Sequence, residues 1–268
     1  MGPRTGKWSF AQTNLQLYNQ LVESGYSESE LGLVRKAYEF AIITCTGRFR
    51  ENGKVFLAHL IGTASILAHL QERGEIVVAG LLHSIYLRGE FGDGSLGVDA
   101  HKRDEVRAVV GEAVEKIIAH FSPLTLGPEK SRWWRENPEA LRSEDRLCLL
   151  LGLVNVLEHY LDNGAHYCNE AKPSARSERI NEWRRLGIET SERLGYPLLA
   201  QMFEEVLGSS QLSKPPAILK SPRMKAFTLA PLAYRLRTRI KIKKWIQGAF
   251  EKVFNRRPSH PKQVLRVK

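Results

Sequence analysis

Two neighbouring segments that are apolar on nearly every side constrain the fold of this chain most strongly. Residues 55–70 and 76–86 are densely apolar, and Gly74 separates them. A helix that is apolar all round fits the centre of a bundle rather than its surface. Composition alone also allows a buried strand at 76–86, but the helical patterns around it favour a helix. We therefore predict an all-α fold with these two segments at its centre.

Apolar residues at helical spacing predict further helices on both sides of this centre. A first helix contains the apolar positions of 15–21 and stops at Gly25, and a second begins behind Ser27 or Ser29 and ends near Gly47. Segment 89–97 holds four glycines in nine residues, and such a run resists regular structure, which predicts a loop near the site. Other helices are predicted at 104–120, 143–162, 175–194 and 197–207.

The chain is long enough for one sizeable core and an appendage. We predict an N-terminal helix at 1–27 and a helical domain at 28–210, in which 28–165 forms the compact part. Prolines and weak periodicity then indicate a linker at 211–222. A basic tail at 223–268 follows.

The formal charge of +11 is concentrated in this tail. Residues 213–268 contain 16 Lys and Arg and one acidic residue, Glu251, whereas the rest contains 24 basic and 28 acidic residues. Within it, 232–254 has the pattern of a basic amphipathic helix. Such a helix can lie on an anionic membrane, bind a partner protein or dock on the core, and a charge run is most often a solvated face. Its apolar aromatic residues make nucleic acid a less favoured partner.

The sequence also predicts a cytoplasmic protein, with peripheral membrane contact through 232–254 left open. No stretch approaches the roughly 18 uncharged apolar residues of a spanning helix, and the start lacks an apolar segment like that of a signal peptide. Cys45, Cys148 and Cys168 are far apart without CxxC spacing. They are predicted to be small core residues rather than disulfide or zinc-knuckle partners.

The most specific motifs of the chain lie between residues 33 and 84. They are Lys36-Ala-Tyr38, Arg50-Glu-Asn-Gly53, Phe56-Leu-Ala-His59 and Leu81-Leu-His-Ser84. In this order and spacing, the stretch resembles the hydrolase half of the RelA/SpoT type guanosine tetraphosphate enzymes, a branch of the HD superfamily. The resemblance covers about half the chain. It implies an HD-domain-like helical bundle and metal-dependent hydrolysis of a phosphorylated, nucleotide-like small molecule.

The resemblance also implies roles for particular residues. Metal ligands fall on His59, His83 and Asn155, the last in Leu153-Val-Asn-Val-Leu-Glu158, and Arg50 falls on the position that contacts the nucleotide. The ion expected from such a set is Mn, Fe or Zn. The motif His59-Leu-Ile-Gly-Thr63 further resembles uncharacterised bacterial HD-like proteins, which implies an altered pocket that includes Tyr86.

The chain departs from the family where carboxylates are expected. Ser84 replaces the Asp of the His-Asp pair, Asn155 replaces the final Asp, and Leu87 and Arg88 replace an acidic pair. Carboxylates offset the charge of a divalent ion that acidifies bound water. Replacing a carboxylate by a neutral oxygen loses several kcal/mol of attraction to the ion per unit charge, at an effective dielectric of about 20. Glu158, one turn after Asn155, is predicted as a replacement, and the loop carboxylates are further candidates: Glu90 and Asp93.

Two function hypotheses follow, together with a plain structural alternative. The first is a divergent metal-dependent hydrolase in which Glu158, Asn155 and Ser84 act in catalysis and Arg50 and Tyr86 bind substrate. The second is a catalytically inactive HD-like module, without a metal, that binds a ligand or another protein. In the structural alternative, His59 and His83 are hydrogen-bonded core residues.

Overall fold

The computed structural model describes residues 8–121, 142–168, 173–209, 216–220 and 225–229. It confirms the all-α prediction, because these residues are mostly helical. Residues 1–228 form one unit and 229–268 a second. The boundary falls after Thr228, C-terminal to the predicted linker at 211–222. The predicted amphipathic helix at 232–254 lies outside the described residues.

The first two helices both begin with a capping box, which was predicted for the second helix at Ser27 or Ser29. Helix α1 spans Asn14–Glu23 and α2 spans Glu28–Cys45. Thr13 and Ser27 each accept a hydrogen bond from the backbone three residues on, and the Gln16 and Glu30 side chains bond back to the cap backbone. Such reciprocal capping boxes satisfy amides that a helix start otherwise leaves unpaired. Ser27 rather than Ser29 is therefore the cap of α2.

The two apolar segments form the paired helices at the centre. Helix α3 spans Phe56–His69 and α4 spans Gly74–Leu82, and nearly all their residues are buried. A Cβ atom at Gly80 would collide with the Leu67 side chain, so this glycine permits the close approach of α4 to α3. The short helix α5, Ile85–Arg88, follows. The segment 76–86 is thus helical, which resolves the ambiguity with a buried strand.

Helix α6 spans Ala100–Val110 and α7 spans Glu112–Phe121. One helix was expected at 104–120, and that expectation is wrong. Gly111 between them has a φ of 83°, in the left-handed region that glycine adopts without steric cost and that ends helices.

The C-terminal helices of the first unit match their predicted positions within a few residues. Helix α8 spans Ser143–Tyr160 and packs on α3 and α7, and a 3-10 helix continues it at Leu161–Tyr167. Helices α9, Pro173–Leu194, and α10, Pro197–Ser209, pack on each other and on α8. A short 3-10 turn lies at Ala217–Leu219. None of these or the other described helices is long and apolar enough to cross a membrane.

A two-stranded pair joins distant parts of the chain. Strand β1, Arg48–Phe49, runs antiparallel to β2, Phe227–Thr228, with Arg48 opposite Thr228 and Phe49 opposite Phe227. The two phenylalanine rings stack with centroids 5.0 Å apart and planes 5° from parallel. The pair holds the start of the C-terminal segment beside the turn that carries Arg50.

Candidate functional site

Four elements bring the polar residues of the site together. His59 lies in α3, His83 ends α4, Glu158 and His159 lie in the last turn of α8, and Arg50 follows β1. The rings of His59 and His83 have centroids 5.3 Å apart and planes at 78°. The predicted pair of histidines therefore does converge, and both side chains are buried.

His59 is a neutral imidazole with both nitrogens engaged. Its Nε2 accepts a hydrogen bond from Arg50 Nη1 at 2.8 Å. Because a guanidinium only donates, the ring proton resides on Nδ1, which donates to Glu158 Oε2. Burial and the neighbouring Arg50 charge lower the pKa of His59 to about 3. The ring therefore stays neutral at physiological pH.

Glu158 is a buried carboxylate with two cationic or hydrogen-bonding partners. Oε2 accepts from His59 and Oε1 accepts from the Lys54 ammonium group. Burial alone would raise the pKa of Glu158, but His59, Lys54 and Arg50 together lower it to about 2. The carboxylate predicted to replace a missing metal ligand is thus present, but both of its oxygens are already engaged.

The motif His59-Leu-Ile-Gly-Thr63 has a structural cause in this arrangement. A Cβ atom at Gly62 would lie 2.9 Å from Glu158 Cγ, so only glycine leaves room for the buried carboxylate. Thr63 is fully buried and donates from Oγ1 to the His59 carbonyl at 3.0 Å. The motif therefore shapes the cavity that Glu158 fills.

His83 has a lone pair without a strong partner. Its Nδ1 donates to the Gly80 carbonyl at 2.7 Å, which leaves Nε2 unprotonated. Within the described residues, Nε2 is buried and makes no well-formed hydrogen bond. Burial lowers the pKa of His83 to about 4, although contact with the Asn155 side chain acts in the opposite direction. Asn155 is thus close to His83, as the family pattern implied, but without good hydrogen-bond geometry.

Arg50 also contacts His159, a histidine that no sequence motif indicated. Its Nη2 donates to His159 Nδ1 at 3.1 Å. Burial, and after it the Arg50 charge, lower the pKa of His159 to about 3. The side chains of His159 and Lys54 remain 18% and 23% exposed, so solvent reaches this end of the site. The available signal was the position of His159 directly after Glu158.

The other predicted site residues have different surroundings. Ser84 is half-buried and its carbonyl accepts the amides of Leu87 and Arg88 at the start of α5. The Tyr86 hydroxyl donates to Glu115 Oε1 at 2.9 Å, and its ring stacks on Phe91. Tyr86 is therefore engaged in a cluster with α7, away from the Arg50 contacts.

The loop carboxylates are also engaged elsewhere. Asp93 forms an ion pair with Lys102 at 3.3 Å, and the exposed Glu90 lies 3.9 Å from Arg48. Neither is joined to the histidine pair.

The residues around His59 and His83 do not fit a divalent ion in this arrangement. Such an ion needs neutral nitrogen donors together with anionic oxygens. The His59 Nε2 atom, which would bind the ion, holds a guanidinium instead. Glu158 has no unengaged oxygen. What these residues do form is a partly exposed cationic centre, Arg50 with Lys54, above a buried Glu158.

A groove of about 790 Å³ lies elsewhere on the protein. It is lined by residues of α5 to α8 and of the glycine-rich loop, among them Leu87, Val98, Lys116, His120 and Leu147. It includes neither Arg50 nor the two site histidines. Its lining is mixed, with apolar walls and charges of both signs.

Fold and site together define an all-α protein with a buried Arg-His-Glu cluster between α3 and α8. Residues 43–124 of the chain match a protein family described as "Domain of unknown function (DUF6817)". The matched stretch includes Arg50, His59 and His83 but ends before Glu158 and His159. The description gives no activity. The match does not test the resemblance to the RelA/SpoT type hydrolase domain, which stays a prediction.

Proposed function

We propose that this protein is a catalytically inactive HD-like module that binds a phosphorylated small molecule through Arg50 and Lys54. The observation that carries the proposal is the hydrogen bond from Arg50 to His59 Nε2. A guanidinium takes the place that a divalent ion would occupy, and it brings positive charge to the same position. The site thereby attracts an anion without a metal.

The charges of the site support an anionic ligand. Arg50 and Lys54 carry two positive charges, and the buried Glu158 offsets one of them. The surrounding imidazoles of His59 and His159 are neutral, so they hold the guanidinium without repelling it. Arginine has five N–H donors in a rigid fork that suits phosphate oxygens. Two of its nitrogens each donate to one imidazole, which fixes the fork and leaves further N–H groups for a ligand.

Binding of inorganic pyrophosphate and of guanosine diphosphate, measured by calorimetry on the full chain in the presence of a chelator, tests the proposal. We expect Arg50→Gln and Lys54→Met to weaken binding at least about tenfold, since a charged hydrogen bond contributes roughly 1.5–3 kcal/mol. Arg35→Gln and Lys116→Met are matched controls, because both side chains are well exposed. Unchanged affinity in Arg50→Gln would overturn the proposal.

A metal-dependent hydrolase is the second candidate, and His83 favours it. Metal-binding histidines commonly donate one ring N–H to a backbone or carboxylate oxygen, which leaves the other nitrogen for the ion. His83 does this through Gly80, and His59 does it through Glu158. The candidate requires Arg50 to leave His59. Bound Mn, Fe or Zn and phosphate release from guanosine diphosphate, both lost in His83→Gln, would replace the first proposal by this one.

A further inference from the structure

Three side chains of types that can bind a metal ion lie close together around His159, on the side away from His59: Glu51, His159 and Cys168. Glu51 follows Arg50 in the turn after β1, His159 lies in the last turn of α8, and Cys168 follows the 3-10 helix. One ligand atom from each of the three residues lies within 4.8 Å of the other two. Glu51 Oε1 is 3.7 Å from His159 Nε2.

We infer that Glu51, His159 and Cys168 bind a transition metal ion of the zinc type. Zinc bonds are about 2.0–2.3 Å long, so neighbouring ligand atoms of a tetrahedral site are roughly 3.3–3.7 Å apart. The distance of 3.7 Å between Glu51 Oε1 and His159 Nε2 already meets this requirement. Cys168 Sγ lies within 4.8 Å of a ligand atom of each of the other two residues and must approach them to complete the site. A thiolate and an imidazole select zinc over magnesium, calcium or manganese.

The solvent exposure and the charges of these three side chains also suit a metal ion. Cys168 is buried, the His159 side chain is 18% exposed and that of Glu51 is 39% exposed. The thiol therefore lies at the inner end and the carboxylate at the entrance, which leaves a fourth position open toward solvent. Binding releases the thiol proton to solvent, because a coordinating thiol is deprotonated. Thiolate and carboxylate then offset the two positive charges of the ion.

The ion and Arg50 require different tautomers of His159. Arg50 donates to His159 Nδ1, so the ring proton is on Nε2, the nitrogen nearest Glu51. Coordination at Nε2 requires the proton to move to Nδ1, where it would face the N–H of Arg50. Metal binding therefore breaks the Arg50–His159 hydrogen bond, and loss of Arg50 favours the metal.

Titration of the full chain with Co²⁺ under reducing conditions tests the site. We expect one ion per chain with a thiolate-to-cobalt charge-transfer absorption. Cys168→Ala removes this absorption, whereas Cys148→Ala, at a buried thiol outside the group, retains it. His159→Gln and Glu51→Gln weaken binding at least about tenfold, and His101→Gln, at an exposed histidine, does not. Glu51→Gln lies in a turn and keeps the test valid if Cys168→Ala does not fold.

Two further variants separate this site from the histidine pair and test the link to Arg50. His83→Gln is expected to leave the absorption unchanged, and Arg50→Gln to tighten Co²⁺ binding by about tenfold, the loss of one charged hydrogen bond. An absorption that persists in Cys168→Ala overturns the site, as does the absence of bound cobalt. Unchanged affinity in Arg50→Gln overturns the competition. Neither result depends on whether pyrophosphate binds, so the test is independent of the proposed function.

Discussion

Arg50 determines which ring nitrogen carries the proton in two histidines, His59 and His159. Its two terminal nitrogens donate to His59 Nε2 and to His159 Nδ1, and a group that only donates permits no proton on either acceptor. Each ring must then carry its proton on the opposite nitrogen. For His59 that proton is on Nδ1, which donates to Glu158, and for His159 it is on Nε2, on the side of Glu51. One arginine thus links two separate groups of side chains: His59 with Glu158, and His159 with Glu51 and Cys168.

Gly62→Ala is expected to disturb the site through packing alone. The added methyl group would meet Glu158 Cγ at 2.9 Å, and the carboxylate is fully buried with nowhere to move. Overpacking of this kind costs roughly 1–3 kcal/mol. We expect the free energy of unfolding in urea to fall by about 2 kcal/mol, with a smaller hydrogen-bonded population of His59 in nuclear magnetic resonance spectra.

Gly32→Ala is the matched control for this prediction. Gly32 lies exposed in α2 with open space around it. Alanine in a helix is more favourable than glycine by up to about 1 kcal/mol, so this variant is expected to gain stability. Equal effects of the two substitutions would contradict the packing argument at Gly62.

Single residues of the site were predictable only where a motif carried them. The resemblance to the RelA/SpoT type hydrolase domain pointed to His59, His83, Arg50 and Asn155, and these residues lie close together in the structure. The ion pair between Lys54 and Glu158 was not predictable, because 104 positions separate the two residues in sequence and no local pattern connects them. Tyr86 follows His83 closely in sequence, but its position in α5 directs its hydroxyl to Glu115.

At the scale of elements, the glycine-rich loop is held to α6 rather than left loose. The Lys102 ammonium is buried and donates to the Ser95 carbonyl at 3.1 Å and to the Ser95 hydroxyl at 2.6 Å. It also pairs with Asp93 and Asp99 and lies over the Phe91 ring at 5.7 Å. One lysine therefore joins both ends of the loop to the first turn of the helix.

Lys102→Met is expected to release this loop. The substitution keeps the length of the side chain but removes the charge that Asp93, Asp99 and the Ser95 carbonyl contact. Amide hydrogen exchange in 93–98 should become about tenfold faster, because local opening no longer breaks these bonds. Lys116→Met, at an exposed pair one helix away, should not change it. Unaltered exchange in Lys102→Met would show that the loop is held by other contacts.

Helices were predicted well because each has a local cause. Thr13 and Ser27 cap α1 and α2, and Gly74 lies at the start of α4, five residues after the end of α3. These signals lie within a few residues of the structure that they specify. The split at Gly111 was missed because apolar periodicity continues across it. The β1–β2 pair was missed because Arg48 and Thr228 are distant in sequence and two-residue strands have no periodicity to detect.

At the scale of the whole molecule, charge is unevenly distributed along the chain. Residues 213–268 have a net charge of +15, whereas the remainder of the chain has a net charge of −4. We propose that the tail binds an anionic membrane surface, since each basic residue near such a surface contributes about 1 kcal/mol. Packing of 232–254 on the helical core, or binding of a partner protein, is the alternative.

The full chain is therefore expected to sediment with phosphatidylserine vesicles and to be released by high salt. Removal of 230–268 should abolish sedimentation, and neutral phosphatidylcholine vesicles should not bind either form. Limited proteolysis supplies the second measurement. Cleavage confined to 213–222 with release of the tail is expected. A resistant tail, together with a lower melting temperature after its removal, would favour packing on the core.

The stacked rings of Phe49 and Phe227 have a mechanical consequence. Strand β2 pairs with β1, and β1 runs directly into Arg50. Loss of the pairing of Phe227 and Thr228 with β1 would remove contacts that position the backbone directly before Arg50. The hydrogen bonds that Arg50 donates to His59 and His159 would then be less firmly fixed, although both residues lie far from β2 in sequence.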